Sequence, residues 1–270
     1  MTVLWPIAMI TFKEGIRNRA IYGISLFALL LLVANLLVSG MMFQSAGKAA
    51  VDIALSAVSF SGLLLVLFVG INLIAKDLDR RTIYMVLARP ISRAQYIIGK
   101  FFGMVLLIAF AMVVLSVFAC LSLLLVKAAN PDYFERFSWP LVLLGLAFIS
   151  LMLLLLSAMS FLFASFSSTS FITLALTIIS YIIGQSLGHI KALVEAPQTV
   201  GIEVSELTVA IVRTAYYIFP NFSFFNIKLQ AAHGLSIAPS YIFWTVVYGI
   251  IYTTLVISMA AVIFRKKEFP

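Results

Sequence analysis

FFGMVLLIAFAMVVLSVFACLSLLLV, residues 101–126, contains no Asp, Glu, Lys or Arg. A helix rises about 1.5 Å per residue, so about 20 apolar residues cross roughly 30 Å of hydrocarbon, and this run is long enough to do so. Five more runs of this character occur at 21–41, 53–75, 139–163, 171–187 and 241–264. Inside hydrocarbon every backbone N–H and C=O must be satisfied within its own segment or within a closed barrel. Continuous apolar runs exclude the alternating pattern of a barrel, so the six runs are read as helices. The fold class is an all-α integral membrane protein with six transmembrane helices. Composition agrees, with 63% hydrophobic and 10% charged residues, where a soluble domain carries about 25% charged. No room remains for a soluble catalytic domain.

The remaining charge is distributed unequally. Lys13, Arg17, Arg19, Lys76, Arg80, Arg81, Arg89, Arg93, Lys100, Arg265, Lys266 and Lys267 fall on one side of the six spans with only Glu14, Asp77, Asp79 and Glu268. The other side balances Lys48, Lys127, Arg136, Lys191, Arg213 and Lys228 against Asp52, Asp132, Glu135, Glu195, Glu203 and Glu206. The whole net charge of +8 therefore lies on one face. The positive-inside rule makes that face, with both termini, cytoplasmic. Topology and anionic membrane lipid account for the basicity, so nucleic acid is not expected as a partner. The basic cluster before the first run resembles the start of a secretory signal, but the run is too long for an h-region and lacks a clean small-x-small cleavage site.

Between the runs, four segments carry information. Trp5, Ala8, Met9, Phe12 and Ile16 recur at helical spacing, which predicts an amphipathic interfacial helix within 1–20. The segment 76–100 reads helix, break, helix. Arg80 to Ala88 are compatible with a helix, Pro90 disfavours the α region at Arg89, and Ser92 followed by Gln95 has the spacing of a capping box. The outer segment 188–240 is the longest connection, and within it 205–219 is predicted to be a helix ended by Pro220. Finally, Ser170, Thr173, Thr177, Ser180 and Gly184 are spaced 3, 4, 3 and 4 on one face of the fifth run. Small faces let transmembrane helices approach closely, which favours a dimer or helix–helix interface over a solute-lining pathway about two to one.

Several chemistries have no residues to carry them. No Gly-x-x-x-x-Gly-Lys-Ser/Thr loop occurs, so nucleotide hydrolysis would belong to another chain. No ionisable residue lies within the six runs, against a proton-coupled carrier. His189 and His233 lack a second ligand at metal spacing, and no hydrolase signature is present, so no catalytic or metal-binding residue is assigned. Cys120 is the single cysteine and forms no intrachain disulfide.

The segment KDLDRRTIYMVLARPISRAQYIIGK, residues 76–100, resembles the permeases of type-2 ABC transporters, especially the branch associated with multicopper enzyme maturation. The resemblance rests on Asp79, Arg81, Thr82, Leu87, Arg89, Pro90, Ser92, Arg93, Gly99 and Lys100. Val86 stands where leucine is usual and Arg81 where many members have glycine. Elsewhere the layout agrees: an N-terminal amphipathic helix, six spans, an outer helical segment and a basic tail. The resemblance implies a single permease domain over 1–270, paired as a dimer in the bacterial cytoplasmic (inner) membrane and joined by two copies of an ABC ATPase. ATP and Mg would be held there, with no cofactor in this chain. It further implies that Asp79, Arg80, Arg81, Thr82, Leu87, Arg89, Pro90, Ser92 and Arg93 form an ATPase-coupling loop serving export. An outer-face partner protein is compatible with the long outer loop. An ATP-independent channel or carrier, a membrane-embedded enzyme and a structural anchor are the alternative classes, and the substrate is not legible.

Overall fold

The computed structural model describes residues 4–41, 46–73, 92–129, 131–134, 137–167, 169–195 and 206–266. Among them the six expected spans are helices long and apolar enough to cross a membrane. A short helix α1, Leu4–Ile16, precedes the first span α2, Arg19–Met41. The second span α3 runs Ala46–Leu64 and continues through a π-helical turn, Leu65–Gly70, to Leu73. The third, α4, is Arg93–Ala129, and the fourth, α5, is Trp139–Phe166. The fifth span lies in α6, Ser170–Glu195. The outer segment supplies α7, Glu206–Ile218, a 3₁₀ turn, Phe222–Phe225, and α8, Lys228–His233. The last span is α9, Pro239–Lys266.

These bounds follow local chemistry. Pro140 occupies the first turn of α5, where a missing N–H costs nothing. Helix α7 stops just before Pro220, as its sequence predicts. Gly234 closes α8 at φ 63°, the left-handed conformation a helix C-terminus favours for glycine. Helix α4 has 37 residues, about 55 Å at 1.5 Å each, so it overreaches the hydrocarbon by several turns.

Spans α3 and α5 are the most buried of the six, and α2, α6 and α9 turn most of their surface outward. The core joins Leu55 and Val58 of α3, Met104 and Leu107 of α4, and Phe148, Leu155 and Phe161 of α5. Helices α9 and α5 form the most extensive pair, followed by α1 and α4. Because lipid is as apolar as leucine, close packing and polar contacts must distinguish these neighbours. Such a polar contact ties three spans together. The Asn35 amide of α2 donates to the Ala50 carbonyl of α3 at 3.2 Å and to Ser122 Oγ of α4 at 3.1 Å. Ser122 in turn donates to the Leu32 carbonyl at 3.4 Å. Asn35 is fully buried.

The N-terminal helix is positioned differently from a freely floating amphipathic helix. Its buried face is Ala8, Thr11 and Gly15, while Trp5 and Ile10 point outward. Glycines set the approach to α4. A β-carbon at Gly103 would lie 2.7 Å from the Ala8 carbonyl oxygen and 2.5 Å from Thr11 Cβ, and one at Gly99 would lie 2.9 Å from Ile7. Gly15 of α1 likewise sits against Leu107.

Candidate functional site

The basic face gathers four pieces of chain. The second span is described as far as Leu73, and the chain re-enters the described residues at Ser92, which opens a helix by reciprocal capping. Ser92 Oγ accepts from the Gln95 N–H at 3.2 Å, and Gln95 Oε1 accepts from the Ser92 N–H at 3.0 Å. Two of the orphan donors at the α4 terminus are thereby satisfied. One turn further, the buried Lys100 ammonium donates to the Leu73 carbonyl. Lys100 thus ties α4 to the last described residue of α3.

This tie extends to the last span and to the N-terminal helix. Lys100 Nζ lies 5.4 Å from the centroid of the Tyr96 ring, a cation–π distance. Tyr96 stacks on Phe264 of α9, with centroids 6.1 Å apart and planes at 21°. Gly99 receives Ile7 of α1 one residue before Lys100. These contacts join α3, α4, α1 and α9 around Lys100.

Of the coupling-loop residues named from sequence, Ser92 and Arg93 are at the start of α4. Asp79, Arg80, Arg81, Thr82, Leu87, Arg89 and Pro90 lie outside the described residues, as does the helix expected over 80–88. The stripe on the fifth run is brought together on one face of α6, and Thr173, Thr177 and Ser180 are buried within the single chain. Gly184 lies directly against Phe222 and the Pro220 carbonyl. Two hydroxyls bond back along their own helix, Thr173 to Thr169 and Thr177 to Thr173 at 2.7 Å. Much of this face thus receives neighbours from the same protomer, notably α5 and the 3₁₀ turn. Ser170 is partly exposed at the end of the stripe.

Sequence reasoning passed over the anchoring of the outer segment. Phe222, Phe225 and Ile227 are buried in the bundle. Three tyrosines of α9 hold the backbone around them. Tyr248 Oη accepts from the Asn221 N–H at 2.8 Å, Tyr241 donates to the Phe224 carbonyl at 2.8 Å, and Tyr252 donates to the Ile218 carbonyl at 3.0 Å. The 7- and 4-residue spacing of these tyrosines is the signal that could have revealed a shared face. Helix α8 then lies on α3. Burial lowers the pKa of Lys228 below its usual 10.5, and the Asp52 carboxylate of α3 opposes that shift.

A shallow groove of about 800 Å³ runs between α4 and α5, with Val113, Val117, Leu121 and Leu143 on its walls. These side chains are exposed on the outside of the bundle, so a single protomer shows here a surface fitted to hydrocarbon.

With that geometry in view, comparisons place the chain among known proteins. A sequence profile described as "ABC-2 family transporter protein" matches residues 5–269. A protein of Pseudomonas aeruginosa named "Probable ABC transporter permease protein NosY" is 30% identical over 160 residues, which are 56% of this chain and 58% of that one. The like-named protein of Stutzerimonas stutzeri is 30% identical over 161 residues, with the same coverage. The matched region spans 58% of the length of these relatives. The profile match over nearly all of the chain and the six apolar helices give one conclusion: the chain belongs to the ABC-2 transporter family as a multi-pass transmembrane permease.

Proposed function

We propose that the chain is the permease subunit of an ATP-driven exporter, pairing as a dimer and taking its drive from two copies of a separate ATPase. The carrying observation is the Lys100 contact network beside the 74–91 segment, which joins α3 to α4 and, through Tyr96 and Gly99, to α9 and α1. An ATPase seated on that segment would act on α1, α4 and α9 as well as α3. ATP can bias a membrane equilibrium only through such a differential contact. Asp79, Arg80, Arg81, Thr82, Leu87, Arg89 and Pro90 are assigned to the ATPase-facing surface, with Ser92 and Arg93 at its α4 end. In this reading the basic face is cytoplasmic, both termini lie there, and the membrane is the bacterial inner membrane.

The test is co-expression with an ATPase encoded beside this chain and purification through a tag on this chain alone. Retained, vanadate-sensitive ATP hydrolysis is expected for the wild type and its loss for the double variant L87D/R89D, with membrane insertion unchanged. Failure to retain an ATPase, or full hydrolysis by the double variant, overturns the assignment and favours a channel or carrier that works without ATP.

A further inference from the structure

A second polar feature lies on the basic face, on the flank of α1 away from the apolar cleft formed by Leu4, Trp5 and Phe102. It is a pocket of about 550 Å³ between the end of α1, the turn into α2 and the end of α3. Lys13, Arg17 and Asn18 supply its polar wall on one side and Asn72 on the other, with Glu14 the single carboxylate among the described lining residues and Ile10 and Leu73 apolar. The described lining residues carry a formal charge of +1, the sign that suits an anionic group.

Hydrogen-bonding capacity points the same way. Asn18 Oδ1 is engaged by the Ala20 N–H at 3.0 Å, capping α2, so what Asn18 offers the pocket is its NH₂ donors. Asn72 donates one amide hydrogen to the Phe68 carbonyl and has a second to offer. Lysine, arginine and two amides make a donor-rich set, the complement of phosphate oxygens.

The location selects a lipid over a free anion. The pocket lies beside two helices long and apolar enough to cross a membrane, at the first turn of α2 and the last described turn of α3, with the outward Ile10 of α1 at its rim. A ligand arriving sideways through the leaflet meets the outward Ile10 with its acyl end and the cations with its head. Basic pockets between helices at this depth are a recognised form of anionic-lipid site. We propose that Lys13, Arg17, Asn18 and Asn72 bind the phosphate headgroup of one anionic phospholipid, wedged between the N-terminal helix and the end of the second span.

The full chain, purified in a neutral detergent, is titrated with dioctanoyl phosphatidylglycerol, dioctanoyl phosphatidylcholine and glycerol phosphate, with binding read by native mass spectrometry. Saturable one-to-one binding of phosphatidylglycerol is expected, with the other two probes at least tenfold weaker. Neutralising both cations in K13Q/R17Q should weaken it about thirtyfold, taking each charge near a membrane surface as worth about fivefold. The variant R265Q/K266Q removes equal charge elsewhere on the same face and should bind within twofold of wild type. Should K13Q/R17Q fail to fold, N72D carries the test, since its added carboxylate should weaken binding at least fivefold. Equal losses in the two double variants would mean diffuse surface attraction and overturn the site. Equal binding of glycerol phosphate would make it a site for free phosphate. Normal lipid binding by K13Q/R17Q or N72D would also overturn it, and if ATPase retention were lost as well, these residues would belong to a protein contact.

Discussion

Replacing Gly103 by alanine adds one methyl group where α1 and α4 are closest. That methyl would sit 2.7 Å from the Ala8 carbonyl oxygen and 2.5 Å from Thr11 Cβ, well inside the 3.5–4.0 Å optimum for nonbonded carbon. The Thr11 side chain could rotate, but Ala8 offers backbone, so relief requires α1 to move off α4. Overpacking of this kind costs about 1–3 kcal/mol. Gly23 in α2 is the matched control, because a β-carbon there meets nothing within 4 Å. Alanine at that position should be neutral or stabilising by up to about 1 kcal/mol, since glycine is the poorer helix former. Hydrogen exchange on α1 in detergent micelles reads the difference. Gly103→Ala should speed exchange of the 4–16 amides about five- to 150-fold, the equivalent of 1–3 kcal/mol, and Gly23→Ala should leave them unchanged. Equal protection of α1 in both variants would refute the glycine-set docking of α1 on α4.

Three further outcomes are expected. Asn35→Ala should destabilise the chain by about 1 kcal/mol in a reversible bicelle unfolding assay, the scale of interhelical hydrogen bonds in membranes; combining it with Ser122→Ala should cost less than the sum if the two act as one network. Tyr248→Phe leaves the Asn221 N–H without its hydroxyl partner and should cost about 1–3 kcal/mol, seen as faster proteolysis of the 206–234 segment. Lys228 has its pKa lowered in the fold, so between that value and 10.5 the unfolded chain binds more protons, and stability should rise with pH there. Lys228→Met should flatten the rise; an unchanged slope would remove Lys228 as its source.

How much of this was legible in the sequence depended on the kind of signal. The six spans were readable because burial of the backbone in hydrocarbon requires long apolar runs, and residues 101–126 permit no other reading. Ser92 and Gln95 announced their capping box, and Pro220 its helix end, because both act within a few residues. Which apolar residues face lipid was hidden: Phe171 is 76% exposed and Phe148 only 1%, yet nothing in a membrane sequence separates them by polarity. The helical spacing of α1 was visible, but the face it buries is Ala8, Thr11 and Gly15, with Trp5 of the apolar stripe outward, because Gly99 and Gly103, nearly a hundred residues away, admit it there. The small-residue stripe of α6 showed a close-packing face without showing that Phe222 and Pro220 would reach it. Lys100 appeared as a positive-inside charge and as the close of the 76–100 motif, and only the tertiary structure brings it to Leu73. The π-helical turn in α3 had no sequence signal that helical periodicity could separate from an ordinary span.

The account turns on the 74–91 segment being the surface through which an ATPase acts. The most direct measurement is photo-crosslinking from benzoylphenylalanine placed at Leu87, in membranes containing this chain and the co-expressed ATPase. The account predicts an adduct between the two chains whose yield changes when ATP and vanadate trap the ATPase closed, and no adduct from the same group placed at Leu235 on the opposite face. An adduct from Leu235, or none from Leu87 while the two proteins still co-purify, would contradict it.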